Sequence, residues 1–194
     1  SDVCSSDLLH LLRPDLALAG TGGSRMRDAG VAMIEEHEGV VGFVEVLRHI
    51  PAHYRLFRKL KARFASGNVA LVICIDYPGF NMRVAAAAHA AGVPVLYYIT
   101  PQVWAWRAGR LKAMARVISK AAVILPFEES LLRGAGVDAT FVGHPLLDRA
   151  LTMPDRAEAR RRIGLPVEGE VLALFPGSRA QEIRRHLADF VAVA

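Results

Sequence analysis

Two cysteines, Cys4 and Cys74, are all that this 194-residue sequence has, and no metal-ligand spacing surrounds either. A disulfide framework or a structural zinc site therefore cannot organise the chain. Aromatics are also scarce, at 7% of residues, and the cations are not interleaved with them. With no basic-region or zinc-finger spacing, this argues against a nucleic-acid partner, although a net charge of +5 and a pI near 9.6 favour anionic partners in general. No apolar run reaches the roughly 18–20 residues needed to cross a bilayer. Nor is there a signal-peptide pattern, since Ser1 to Leu8 lack a positive start followed by an apolar run. Those eight residues read instead as translated sequencing-adapter sequence, and no initiator Met precedes them. They are set aside from fold reasoning, and Cys4 with them.

What the chain does have is apolar material, 53% of residues, against 22% charged, with a mean hydropathy of +0.27. That suffices for a packed core, and the length suits one domain plus the beginning of another. Short apolar runs alternate with helical stretches, the pattern of βαβ units in a doubly wound parallel sheet. Strands are expected at Leu16 to Gly20, Val69 to Ile75, Val93 to Ile99, Ala121 to Leu125 and Ala139 to Val142. The nearly unbroken Val69 to Ile75 run predicts a strand buried on both faces, with Cys74 as a small hydrophobe inside it. Helices are expected at Ser24 to Ala29 (Ser24 as N-cap), Val40 to Ile50, Pro51 to Ala65, Phe80 to Ala91, Arg110 to Val117 and Glu128 to Ala135. Beyond Leu147 a polar helix near Thr152 to Arg162, capped near Asp155, leads to a turn-rich linker at Pro166 to Gly169. A new strand, Val171 to Phe175, and a final helix would then open a second domain. The expected organisation is residues 9–150 as a first Rossmann-like domain, 151–169 as linker and 170–194 as the start of the second.

In open α/β sheets ligands lie at the carboxyl ends of the strands, and three such ends are chemically loaded. Gly20-Thr21-Gly22-Gly23 is either a plain turn or a loop whose Gly22 and Gly23 let a phosphate approach the backbone. Asp76, in Asp76-Tyr77-Pro78-Gly79-Phe80-Asn81, is placed either as a general base or as an N-cap for the next helix. Pro176-Gly177-Ser178-Arg179 has the strand–turn–helix form of an anion cradle. There Arg179 either clamps a diphosphate or lies on a solvated helix face. Trp104 and Trp106 share one loop after a strand and would stack on a sugar or pack beneath the loop. His144, between Gly143 and Pro145, is an imidazole open to either a catalytic or a structural role. The cationic helix carrying Arg55 and Arg58 and the preceding apolar positions Val40, Phe43, Val44 and Leu47 suit either a solvated face or an anionic membrane surface.

The order of these segments is far more specific than any one of them. Gly20-Thr21-Gly22-Gly23-Ser24-Arg25-Met26, the Asp76 to Asn81 motif, Pro101-Gln102-Val103-Trp104-Ala105-Trp106-Arg107, Leu125-Pro126-Phe127-Glu128, Gly143-His144-Pro145 and Pro176-Gly177-Ser178-Arg179 together resemble the lipid-A-disaccharide synthases. The resemblance runs from Leu9 to the last residue. It implies a B-type glycosyltransferase with two Rossmann-like domains, peripheral on the cytoplasmic side of the Gram-negative inner membrane. Such an enzyme joins UDP-2,3-diacylglucosamine to 2,3-diacylglucosamine 1-phosphate and releases UDP, with no metal or cofactor. By the same resemblance Asp76 and Arg179 correspond to the family's essential Asp and Arg. Gly22, Gly23, Asn81, Gln102, Trp104, Trp106, Glu128, His144, Gly177 and Ser178 would line the substrates, and the Val40 to Ala65 stretch would face the bilayer. An oligomer is compatible with the resemblance. Gly79 stands where many members carry a second Asp, and the family's N-terminal strand and Gly-Glu-Ala-Ser-Gly-Asp loop have no counterpart before Leu9. The 194 residues alone are accordingly expected to be inactive. The rival readings are another UDP-sugar enzyme of this architecture, such as a UDP-N-acetylglucosamine epimerase or a cell-wall glycosyltransferase, and a non-catalytic sugar-nucleotide or lipid-binding module.

Overall fold

In the computed structural model, residues 9, 11–36, 50–102, 109–178 and 180–194 are described. Val40, Phe43, Val44, Leu47, Trp104, Trp106 and Arg179 lie outside them, as does the helix expected at Val40 to Ile50. The chain divides into two compact units, Ser1–Leu147 and Asp148–Ala194, each taken here by itself.

The first unit is built from parallel strands and the helices between them. β1 (Ala19–Gly22) leads through α1 (Ser24–Asp28) to β2 (Ala32–Glu36), which pairs with β1 in parallel. The N-cap of α1 is Gly23 rather than Ser24, and no side chain caps that end. β2 escaped the sequence reading because Ala-Met-Ile-Glu-Glu has a single β-branched residue and ends on two carboxylates. Pairing with β1 makes it a strand. After α2 (Ile50–Ala65) come β3 (Val72–Ile75), α3 (Pro78–Ala90), β4 (Val95–Tyr98), α4 (Gly109–Val117), β5 (Lys120–Val123), α5 (Pro126–Gly134) and β6 (Ala139–Phe141). The last four strands form one parallel sheet in the order β3-β4-β5-β6, with Ile75 opposite Tyr98 and Val123 opposite Phe141. The expected Rossmann-like α/β alternation is present, with its strands divided between a two-stranded and a four-stranded sheet among the described residues.

The core follows from two periodicities. On α2, Leu56, Leu60 and Phe64 recur every four residues and are buried, while Arg55, Arg58, Lys61 and Arg63 are exposed. On β4, Val95 and Tyr97 are wholly buried and alternate with half-buried Leu96 and Tyr98. Ala121 and Val123 of β5, Met114 of α4 and Leu132 of α5 complete the same cluster. Small side chains let α3 pack closely, with Val84, Ala85 and Ala88 inside. β3 departs from expectation. Cys74 is buried, but Leu71 and Ile73 are 47% and 37% exposed. Among the described residues β3 is an end strand of its sheet, so its apolar run is not covered as a central strand's would be.

In the region after β6, α6 (Pro145–Ala150) is followed by α7 (Arg156–Arg162), whose N-cap Asp155 accepts a hydrogen bond from the Glu158 N–H at 2.8 Å. Arg160 turns inward and is 7% exposed. Its guanidinium donates to the carbonyls of Pro166, Val167 and Gly169 at 3.2, 2.7 and 2.8 Å, which ties the expected linker to α7. The strand expected at Val171 to Phe175 does not form. The segment has no strand to pair with among the described residues, and Phe175 is 84% exposed. An apolar run becomes a strand only when a neighbouring ladder satisfies its backbone. α8 (Ala180–Val193) closes the chain.

Truncating Met114, wholly buried between α4 and the sheet, to Ala is expected to lower unfolding free energy by about 2–5 kcal/mol in urea titrations. Tyr54→Ala, at a position 63% exposed, should change it by less than about 0.5 kcal/mol. A second expectation concerns alkaline stability. Burial pushes the Cys74 thiol from its ordinary 9.0 up to about 12, and raises the Tyr97 phenol in the same direction, helped by Cys74 and Asp76. Both groups hold their protons more tightly folded than unfolded. Their contribution is therefore complete below about pH 9 and is lost as pH climbs from there toward 12. Unfolding free energy measured across that range should fall less steeply in Cys74→Ala than in the parent sequence.

Candidate active site

Because β3, β4, β5 and β6 all run the same way, the segments that follow them emerge on one edge of the sheet. That edge receives Asp76 and Tyr77 after β3, Ile99 to Gln102 after β4, Ile124 to Glu128 after β5, and Val142 to His144 after β6. The sequence candidates Asp76, Asn81, Gln102, Glu128 and His144 thus belong to consecutive strand ends.

The most constrained of these ends is β3's. Asp76 and Tyr77 have φ of 46° and 44°, and Ile99, one strand over, has 58°. Left-handed backbone costs roughly 1–3 kcal/mol for each such residue, most of all for β-branched isoleucine, and persists only where surroundings enforce it. Here they do. The Asp76 N–H donates to the Tyr98 carbonyl at 3.0 Å, extending the β3–β4 ladder one residue beyond the strand. The Asp76 carbonyl accepts from the Asn81 amide at 2.8 Å and from the Tyr97 hydroxyl at 2.9 Å. The same Asn81 nitrogen also reaches the Ile75 carbonyl at 3.0 Å. Asn81, read from sequence as a substrate contact, has its amide nitrogen engaged in holding this corner. Tyr97, missed as a site residue because it sits mid-strand in an apolar run, is the other clamp.

The Asp76 side chain is exposed, and no hydrogen bond or ion pair engages it among the described residues. The N-cap of α3 is Tyr77, with no side-chain cap bond and Pro78 opening the helix. The alternative role of Asp76 as helix cap is therefore not realised. Tyr77 turns toward α2, where its hydroxyl lies 3.2 Å from His53 Nε2, and His53 packs edge-on against Phe80 with centroids 5.4 Å apart.

The other ends are built differently. Glu128 is 3% exposed and its carboxylate accepts from the Leu125 N–H at 3.2 Å, covering a donor at the N-terminus of α5. His144 Nδ1 accepts from the Leu146 N–H at 3.2 Å, so the neutral ring carries its proton on Nε2 as a donor. Gln102 is exposed, beside buried Thr100 and Pro101. Gly22 has a packing reason to be glycine, since a Cβ there would collide with the Met26 thioether; Gly23 is the extended N-cap of α1. In the second unit Gly177 has φ 115°, and a Cβ would stand 2.6 Å from that of Glu182. The Ser178 N–H donates to the Glu182 carboxylate at 3.1 Å. Among the described residues no cluster of His, Cys, Asp and Glu could hold a metal ion.

Together these features describe a Rossmann-like α/β domain with an exposed carboxylate at one strand end, consistent with the N-terminal part of a B-type glycosyltransferase. A family model described as lipid-A-disaccharide synthetase matches residues 1–194, and the chain belongs to that family. It is 48% identical over 176 residues to a lipid-A-disaccharide synthase of Geobacter metallireducens, covering 90% of this chain and 46% of that protein. A lipid-A-disaccharide synthase of Coxiella burnetii is 42% identical over 185 residues, or 94% and 49% of the two chains. Lipid-A-disaccharide synthase 1 of Legionella pneumophila is 38% identical over 189 residues, or 96% and 49%. The chain spans about half the length of the curated relatives it matches.

Asn81→Ala and Tyr97→Phe should each lower stability by about 1–3 kcal/mol, since each strips a donor from the Asp76 carbonyl. In the double variant the two losses should fail to add by more than about 0.5 kcal/mol, because both act on one oxygen. Additive losses in a urea double-mutant cycle would show the two contacts to be independent.

Proposed function

We propose that the full-length protein is an inverting glycosyltransferase. It joins UDP-2,3-diacylglucosamine to the 6-hydroxyl of 2,3-diacylglucosamine 1-phosphate, forming a β-1,6 link and releasing UDP. The observation that carries this reading is Asp76: a carboxylate left exposed at a strand end whose backbone is clamped in a left-handed conformation by Asn81 and Tyr97. Strained backbone held in place by its surroundings clusters at active sites, and here it positions an exposed acid. Asp76 takes the acceptor's hydroxyl proton as that oxygen attacks the donor's anomeric carbon. The bond to UDP breaks as the new bond forms, through an oxocarbenium-like transition state by analogy with glycoside chemistry. Arg179, with Gly177 and Ser178, receives the charge of the departing diphosphate. His144 donates from Nε2, while Gln102, Trp104 and Trp106 line the sugars.

In this reading residues 9–150 are the acceptor-side domain, 151–169 the linker and 170–194 the beginning of the UDP-sugar domain. The protein works on the cytoplasmic face of the inner membrane as a peripheral enzyme. Arg55 and Arg58, both exposed on α2, and the apolar positions Val40, Phe43, Val44 and Leu47 meet the anionic surface, from which two acylated substrates must be drawn. No helix among the described residues is long and apolar enough to cross a membrane. The N-cap of α3 is Tyr77, so the capping role for Asp76 that would have favoured a binding module without turnover is not seen.

The decisive assay is UDP release from the two acylated sugars by the full-length protein. Asp76→Ala is expected to cut turnover by about 10²–10⁴ with unchanged circular dichroism and melting. Arg179→Ala should cost on the order of 10²–10³. A folded wild-type protein that releases no UDP would sink the assignment.

A further inference from the structure

Tyr77 is the second of two consecutive left-handed residues, and its side chain is held from another helix. On the Asp76 side of the peptide they share, Asn81 and Tyr97 grip the carbonyl. On the other side, the Tyr77 carbonyl accepts from the Phe80 and Asn81 N–H groups at 3.3 and 3.1 Å, bonds that any residue at this N-cap would make. What distinguishes Tyr77 is its ring. Its centroid lies 6.1 Å from that of His53 and 6.3 Å from that of Phe80, and its hydroxyl is 3.2 Å from His53 Nε2. His53 packs edge-on against Phe80 at 5.4 Å, and Phe57, one turn further along α2, does the same at 6.5 Å. Both rings are carried by a helix fixed in the core through Leu56 and Leu60. α2 thus reaches the residue beside the exposed acid through one imidazole.

We propose that His53 is a positioning residue for Asp76, acting through the ring and hydroxyl of Tyr77. The direction of the Asp76 carboxylate relative to β3 is set by rotation about the Asp76 N–Cα bond. The same rotation carries the Asp76 carbonyl and Tyr77 with it, and left-handed φ gives the chain a reason to make it. Asn81 and Tyr97 resist that movement at the carbonyl; His53 resists it at the Tyr77 ring. Tyr77 is exposed and His53 half-buried, and a hydrogen bond open to water adds little to global stability. Its consequence is local, in the fraction of molecules whose acid is correctly aimed. The inference rests on the reading of Asp76 as general base for its kinetic consequence alone.

The test uses the full-length protein. Tyr77→Phe removes the hydroxyl and keeps the ring, His53→Leu removes the nitrogen, and His53→Gln restores a hydrogen-bonding group at similar reach. His53→Leu and Tyr77→Phe are each expected to lower kcat for UDP release about three- to tenfold with KM unchanged, the double variant falling no further than either. His53→Gln should recover most of the loss, and Tyr54→Phe, which strips an exposed hydroxyl from the neighbouring position of α2, should cause none. Multiplying losses in the double variant, a raised KM in place of a lowered kcat, or full turnover in His53→Leu would overturn the proposal. The corner is read separately by NMR of protein isotope-labelled at the aspartate carbonyl and the tyrosine nitrogen. Asp76-Tyr77 is the one Asp-Tyr step in these 194 residues. Its carbonyl signal should shift in His53→Leu, a substitution on another helix, and return in His53→Gln. A signal unmoved in His53→Leu would overturn the positioning role even if turnover fell. A folded wild type that releases no UDP ends the glycosyltransferase reading instead, and the carbonyl signal then decides by itself whether His53 holds the corner.

Discussion

The carbonyl oxygen of Asp76, held by the amide of Asn81 and the buried hydroxyl of Tyr97, is the contact on which the corner after β3 depends. It stabilises two consecutive left-handed residues that would relax toward ordinary backbone without it. Each donor comes from a different part of the fold. Asn81 is in the first turn of α3, and Tyr97 is a wholly buried position of β4. The corner can therefore form only once α3 has packed on the sheet and β3 has paired with β4. Local chain geometry at Asp76 is in this sense a tertiary property. A hydroxyl buried this deeply is costly unless paired, and the Asp76 carbonyl provides its partner.

Parallel strand direction then multiplies the effect. Every strand of the four-stranded sheet delivers its following loop to one edge, so groups far apart in sequence become neighbours in the architecture without any long-range pairing of their own. The ends differ in what they present. β3 offers a carboxylate to solvent, β5 buries Glu128 against its own helix N-terminus, and after β6 the His144 imidazole accepts a backbone N–H at Nδ1. A single edge thereby combines an exposed acid with groups whose hydrogen bonding is already committed.

Charge is distributed by the same logic on the helices. α2 sends Leu56, Leu60 and Phe64 into the core and keeps its five cations in water, so that helix presents a basic face. Arg160 is the exception. It turns inward because the carbonyls of Pro166, Val167 and Gly169 replace its water. A guanidinium can be buried when planar donors meet that many acceptors.

Much of this was legible in the chain. Short apolar runs and helical spacing located α2 through α5 and β3 through β6 to within a few residues, because burial imposes those patterns on the elements that pack together. The ordered motifs carried the family resemblance, and Asp76 was marked by standing at the end of an apolar run. Other features were not legible, for identifiable reasons. Whether Asp76 caps a helix or faces solvent depended on a left-handed corner that no local pattern encodes. β2 became a strand, and Val171 to Phe175 did not, because strand formation depends on a partner elsewhere in the chain. Leu71 and Ile73 are exposed where sheet order, among the described residues, places β3 at an end. Tyr97 looked like core until its hydroxyl was seen to reach Asp76. The sequence by itself determined which residues would be apolar neighbours and in which order the motifs appear. Only the tertiary structure decided which backbone groups find partners, because a hydrogen bond between distant segments is a property of their packing.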